Sequence, residues 1–204
     1  MQEQTEQITP NTEQTRGRWI LALLFVFFAV PLLAVMLMHH YQWHPKGDSY
    51  GELVSPPVPL TIAAELLDNQ GKAVTASIWH DKWSMVYVTG ECDDICTERL
   101  HSMRQLHVSF AKDIERIQRI LISPTHKAAE LQQQYPDLLI INQPAPALPN
   151  LNSQFDIAGE AAISGNRIYL VDPLGNLMMS YPLSIAPAEI RKDMQRLLKY
   201  SWAG

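Results

Sequence analysis

Trp83-Ser84-Met85-Val86-Tyr87-Val88-Thr89-Gly90-Glu91-Cys92-Asp93-Asp94-Ile95-Cys96-Thr97 is the stretch from which the rest of this chain can be read. Its first seven residues carry no charge and are mostly aromatic or β-branched, so they predict a strand buried on both faces. Gly90 interrupts the run. Beyond the cysteines, Leu100, Met103, Leu106, His107, Phe110 and Ile114 recur at steps of three and four, the period of a helix that packs one face on a sheet. Cys92 and Cys96, the only cysteines in 204 residues, therefore stand where a central strand hands over to a helix.

The same alternation continues downstream. Ile117 to Ile122 predicts a second buried strand, Thr125 an N-cap for a helix over Lys127 to Gln134, and Leu138 to Ile141 a third strand. Strand, helix, strand, helix, strand predicts parallel pairing. Asn142 to Pro149, with three prolines, reads as a loop. Arg167 to Asp172 and Leu177 to Tyr181 flank Pro173-Leu174-Gly175-Asn176 as a hairpin, and Ala188 to Trp202 as an amphipathic helix. Upstream, Leu60 to Leu67 and Ala73 to Ile78 read as two short strands around a turn at Gly71. The fold class is α/β, a central mixed sheet flanked by helices over residues 58–204, with no internal repeat.

Twenty uncharged residues, Trp19 to Met38, are long enough at 1.5 Å per residue to cross a bilayer core of about 30 Å. They predict one transmembrane helix. Its apolar run exceeds that of a signal peptide and ends in Met38-His39-His40-Tyr41 rather than in a small-residue cleavage site. Arg16 and Arg18 flank its start, whereas the thirty residues after it offer Lys46 alone, which places residues 1–18 in the cytoplasm as a polar, disordered tail and the body of the protein outside. Trp19, Tyr41 and Trp43 are candidate interfacial anchors. Pro45 to Pro59 reads as a semi-rigid spacer, so residues 39–57 are a juxtamembrane linker. A net charge of −5 without a basic patch argues against a nucleic-acid partner.

If Cys92 opens the helix, Cys96 lies one turn above it at a Cα separation of about 6 Å, within disulfide reach. Helix N-terminal amides favour a thiolate, which is both a nucleophile for exchange and a soft donor for copper(I). Asp93 and Asp94 oppose that thiolate. A structural staple is the alternative, but so short a loop yields only about 2 kcal/mol by chain entropy.

The C-x-x-x-C pair, the strand before it and the late hairpin Ile168-Tyr169-Leu170-Val171-Asp172-Pro173-Leu174-Gly175 together resemble the Sco/SenC family. The resemblance covers about Val58 to Trp202. It implies a thioredoxin-like fold on one N-terminal membrane helix, a place in the bacterial inner membrane with the C-terminal domain periplasmic, and work in cytochrome c oxidase assembly. It implies that Cys92 and Cys96 are both the redox pair and the two cysteine ligands of copper(I), and that the partner is an oxidase subunit or another exported cuproprotein. Two departures stand out. The family sets proline after each cysteine, where this chain has Asp93 and Thr97, and its third copper ligand is a histidine at a position occupied here by Ser164.

No other residue clearly supplies that ligand. His101 and His107 sit at angles on the helix that do not stack above Cys96, and His80 precedes the cysteine strand. His39, His40 and His44 read as headgroup contacts, and Met178 and Met179, being adjacent in a strand, point to opposite faces and read as core. Three readings remain: a thiol-disulfide oxidoreductase in which Cys92, the more exposed thiol, attacks and Cys96 resolves; a copper(I) chaperone using the same sulfurs; and a non-catalytic assembly factor.

Overall fold

The structure, a computed structural model, describes residues 12–41, 49–62, 66–143 and 145–200. Met1 to Asn11, Trp43, His44, the start of the spacer through Asp48, and Trp202 lie outside the described residues. The chain forms two compact units, Met1–Gly47 and Asp48–Gly204.

The first unit is helix α1, Thr12–His40. Its stretch Arg16–His40 is long and apolar enough to cross a membrane. The helix runs through Pro31. It starts at Thr12, inside the stretch expected to be a disordered tail, because adding turns to an existing helix is far cheaper than nucleating one.

The second unit is built on a seven-stranded sheet. Its strands are β1 Glu52–Pro59, β2 Leu67–Asp68, β3 Trp83–Val88, β4 Ile117–Ile122, β5 Leu138–Gln143, β6 Ile168–Val171 and β7 Asn176–Tyr181, in the order β1-β7-β6-β3-β4-β5-β2. The trio β3, β4 and β5 is parallel, as the alternating pattern requires, and β6, β7 and β1 add antiparallel on one side. All six residues of β3 are buried, since both faces of a central strand are covered by other layers. On one face lie helices α2, Asp94–Val108, α3, Ala128–Gln134, and α6, Pro187–Tyr200, whose Leu100, Met103, Leu131, Met194 and Leu198 pack with Met85 and Tyr87. On the other, α4, Leu148–Asn152, and the short α5, Ala162–Gly165, join Trp79 and Phe155 against Val86, Val88 and Ile120.

Three expectations need correction. The presumed spacer contains β1, an edge strand paired with β7; prolines are admissible there because one side of an edge strand needs no donors. Ala73 to Ile78 is not a strand: only Ala73 bridges to Leu67, and Ala76–Trp79 turns as a 3₁₀ helix that carries the Trp79 ring inward to 6.1 Å from Phe155. The two methionines of β7 do not face opposite ways. Where Leu170 pairs with Met179 and Val171 with Leu177, a bulge leaves Met178 unpaired, and both methionines pack on the α2–α6 side.

The first residues of this unit are fastened to its last helix. The buried Asp193 carboxylate of α6 accepts hydrogen bonds from Tyr50 N at 2.8 Å, Gly51 N at 3.0 Å and Ser49 Oγ at 3.2 Å. Burial, with the Asp193 charge behind it, pushes the Tyr181 phenol well above its ordinary pKa. Gly51 fits because a Cβ there would stand 2.5 Å from Tyr181 Cε1.

Candidate dithiol site

The turn that carries the cysteines leaves the C-terminal end of β3 with Thr89 still paired, its N–H donating to Ile122 O at 3.1 Å. From there the β4–α3 loop holds it at three points. Ser123 Oγ donates to Gly90 O at 3.1 Å, Thr125 Oγ1 to Glu91 Oε1 at 2.6 Å, and Lys127 Nζ to Cys92 O at 3.0 Å. The Thr125 hydroxyl and the nearby His126 hold the Glu91 carboxyl below its ordinary pKa. Thr125 is not the N-cap of α3. Lys127 is, and Thr125 accepts from its N–H at 3.2 Å while giving its own proton to Glu91.

Cys92 does not open α2. The N-cap is Asp93, in extended conformation, whose carboxylate accepts from Cys96 N at 2.9 Å. Asp93 is therefore the residue that starts the helix, as well as a negative charge beside the sulfurs. Cys92 stands one residue before the cap, Cys96 in the first turn, and the two are joined in a disulfide with a Cα separation of 5.0 Å. Both cysteines are 0% exposed and belong to the core under α2 with Tyr87, Leu100 and Met103. Cys92 is thus not the more exposed thiol. The turn is pinned against the sheet end, and its sulfurs face inward.

On the other side of the turn stands the 161–166 loop, where the Sco/SenC resemblance looks for a histidine. Ile163 of α5 packs over Gly90, whose Cβ position would lie 3.5 Å from Ile163 Cδ1. Ser164 is exposed and donates to Ala161 O at 3.1 Å. Asn166, with φ +47, accepts from the Tyr87 hydroxyl at 2.9 Å. The histidines lie elsewhere. His101 is exposed beside Gln105; the His107 ring, near the other end of α2, sits within hydrogen-bond reach of Ile114 O and Ile117 O; His80 is exposed and bridges to Leu174. Among the described residues no group of three His, Cys, Asp or Glu side chains is placed to hold a metal.

One residue near the pair carried no signal in the sequence. Arg99, one turn beyond Cys96 on α2, is only 6% exposed, and its Nη2 is sealed from solvent without a hydrogen-bond partner. Burial lowers its pKa, against the pull of Tyr87 and Glu98. The Tyr87 phenol is raised by burial; Arg99 lowers it and Asp93 raises it. Tyr87 therefore feels both the helix cap and the guanidinium, and all three groups cluster around the start of α2.

No curated protein matches the sequence. Among solved structures, the chain is similar to Bradyrhizobium japonicum ScoI with copper bound, at 21% identity over 70% of this chain and 98% of that one, TM-score 0.52. It is also similar to yeast Sco1 with copper bound, at 18% identity over 76% and 96%, TM-score 0.56. Peroxidoxin BcpB from Mycobacterium tuberculosis aligns at 17% identity over 71% and 98%, TM-score 0.50. These likenesses establish the thioredoxin-like fold. Since residues 83–201, from the cysteine strand to the end of the last helix, match the family described as transmembrane-like, thioredoxin-like, C-terminal domain, the chain belongs to that family.

Proposed function

We propose that this chain is a thiol-disulfide oxidoreductase, tethered by α1 to the bacterial inner membrane with its sheet domain in the periplasm, that keeps the copper-site cysteines of cytochrome c oxidase, or of another exported cuproprotein, reduced. The observation that carries the reading is the Cys92–Cys96 disulfide at the β3–α2 junction of a thioredoxin-like fold. In the reduced protein, a Cys92 thiolate attacks the partner's disulfide and expels one partner thiolate. Cys96 then attacks the mixed disulfide, reforms the Cys92–Cys96 bond and releases the second. Exposure does not pick the attacker, since both cysteines are buried. Position does: Cys92 precedes the helix cap and comes free when the turn opens, whereas Cys96 is held in the first turn through its N–H.

Copper(I) as cargo is the less supported role. The two sulfurs are soft donors, but Ser164 stands where the Sco/SenC resemblance calls for a histidine, and the described histidines lie elsewhere on the fold. Burial of the pair favours a second reading, that of an assembly factor whose disulfide only holds the turn. Complementation separates the two. A Cys92→Ser/Cys96→Ser double variant that no longer supports oxidase activity in a deletion strain, together with a Cys96→Ser variant that traps a mixed disulfide with its partner, supports exchange. Full activity of the double variant overturns it.

A further inference from the structure

Beside the first turns of α2 lies a half-open cleft with room for about 220 Å³, walled by Ile95, Glu98, Arg99 and Ser102 on the helix and by residues 183–187 of the loop before α6. Arg99 is its only cation. Its Nη2 has no hydrogen-bond partner among the described residues, although 94% of the residue is out of solvent. A buried guanidinium in a folded protein ordinarily faces a carboxylate, because only a partner offsets its lost hydration. The rim is apolar: Ile95 is 44% exposed and Leu183 52%.

We propose that this cleft receives an aspartate or glutamate side chain of the partner protein, held by Arg99 and flanked by apolar residues that rest on Ile95 and Leu183. The planar fork of a guanidinium matches a carboxylate in paired hydrogen bonds, which a point cation does not. Ser102 adds a hydroxyl to the wall. A free hydrated anion makes little use of the apolar rim, whereas an acidic residue between apolar neighbours uses both parts. Glu98, on the same wall, opposes the incoming charge and keeps the unoccupied cleft from attracting every anion. The cleft lies one helical turn from Cys96, so an occupant would bring its chain alongside the disulfide. This rests on the proposed function only in naming the occupant as the redox partner.

The test titrates the full chain in detergent micelles with the blocked peptides acetyl-Leu-Asp-Leu-amide and acetyl-Leu-Asn-Leu-amide and with acetate, following the backbone amide resonances of Ser102 and Ser184, which line the cleft in every variant. The aspartate peptide should bind at least tenfold more tightly than the asparagine peptide or acetate. Arg99→Gln should lose at least tenfold, and Glu98→Gln should gain two- to threefold. Should Arg99→Gln misfold, Leu183→Glu, at an exposed site, should fill the cleft from within and abolish binding. Equal binding of the two peptides overturns the proposal, as does undiminished binding in Arg99→Gln or Leu183→Glu. Acetate binding as tightly as the peptide overturns the choice of a protein side chain. None of these outcomes touches the cysteine complementation result, so a failure here leaves the exchange reading standing.

Discussion

Two arginines are buried in this domain, and they are treated differently. Arg119, in the middle of β4, is 0% exposed; its Nη2 donates to Asp137 Oδ1 at 2.6 Å and its guanidinium lies 5.6 Å from the centre of the Tyr135 ring. His107 Nδ1 stands 3.4 Å from the other oxygen of Asp137, without hydrogen-bond geometry, and Arg104 approaches Tyr135 at 5.8 Å. Arg99, on α2 beside the disulfide, makes no ion pair and no ring stack among the described residues, and Tyr87 and Glu98 act on it only through their charge. The Arg119 charge is paired with a carboxylate of the chain through Nη2, while its Nε and Nη1 are sealed without a hydrogen-bond partner. The charge next to the sulfurs has no such ion pair among the described residues.

The largest effect that would test this contrast is Asp137→Ala. It should cost about 2–3 kcal/mol in urea unfolding, below the 3–5 of a fully enclosed pair because water can partly replace the half-exposed Asp137 side chain. A loss under about 0.5 kcal/mol would erase the contrast from that side. Arg99→Met should run the other way, stabilising by about 1 kcal/mol, because it removes a buried charge that has no partner to lose. A clear destabilisation would mean that Arg99 is satisfied after all. Thr125→Val, which removes the hydroxyl that donates to Glu91 and accepts from Lys127 N–H, should speed reduction of the disulfide by dithiothreitol, since the turn loses one of its three ties. Unchanged reduction kinetics would mean that the pins do not guard the sulfurs.

The smallest effect is on pH dependence. Burial works to raise the Asp137 pKa, but the hydrogen bond and charge of Arg119 outweigh it and hold the carboxyl below its ordinary value. A depressed carboxylate contributes stability that is present above its unfolded pKa and lost as pH falls through the folded one. Stability should therefore decline below about pH 4, and Asp137→Asn should remove that part of the decline. An unaltered acid profile would show that other carboxylates carry it.

Much of the sheet was legible because its signals are local. The uncharged run over β3, the three- and four-residue steps of α2 and the Asp172-to-Asn176 turn each declare themselves within a dozen residues. The spacing of Cys92 and Cys96 put them within disulfide reach, and the structure joins them. What composition concealed was decided by distant neighbours. The prolines of β1 signal irregularity, yet β7 offers an edge that tolerates them. Trp79 sits in a stretch of strand-like composition, yet Phe155 and the core around it bend that stretch into a turn. In the site, the helical pattern could mark Cys92 and Cys96 but not their burial. That depends on Ser123, Thr125 and Lys127, which pull the turn down from another part of the chain. Arg99 escaped notice because one arginine on an amphipathic helix reads as solvated until its surroundings are known.

The bonds from Ser49, Tyr50 and Gly51 to Asp193 also decide where a mechanical load is borne. Tension arriving along the chain from its N-terminal side meets the last helix before it reaches the ladder of the edge strand. A tug would thus be taken up by α6, whose inner face packs against the same core as the two sulfurs, while β1 stays slack.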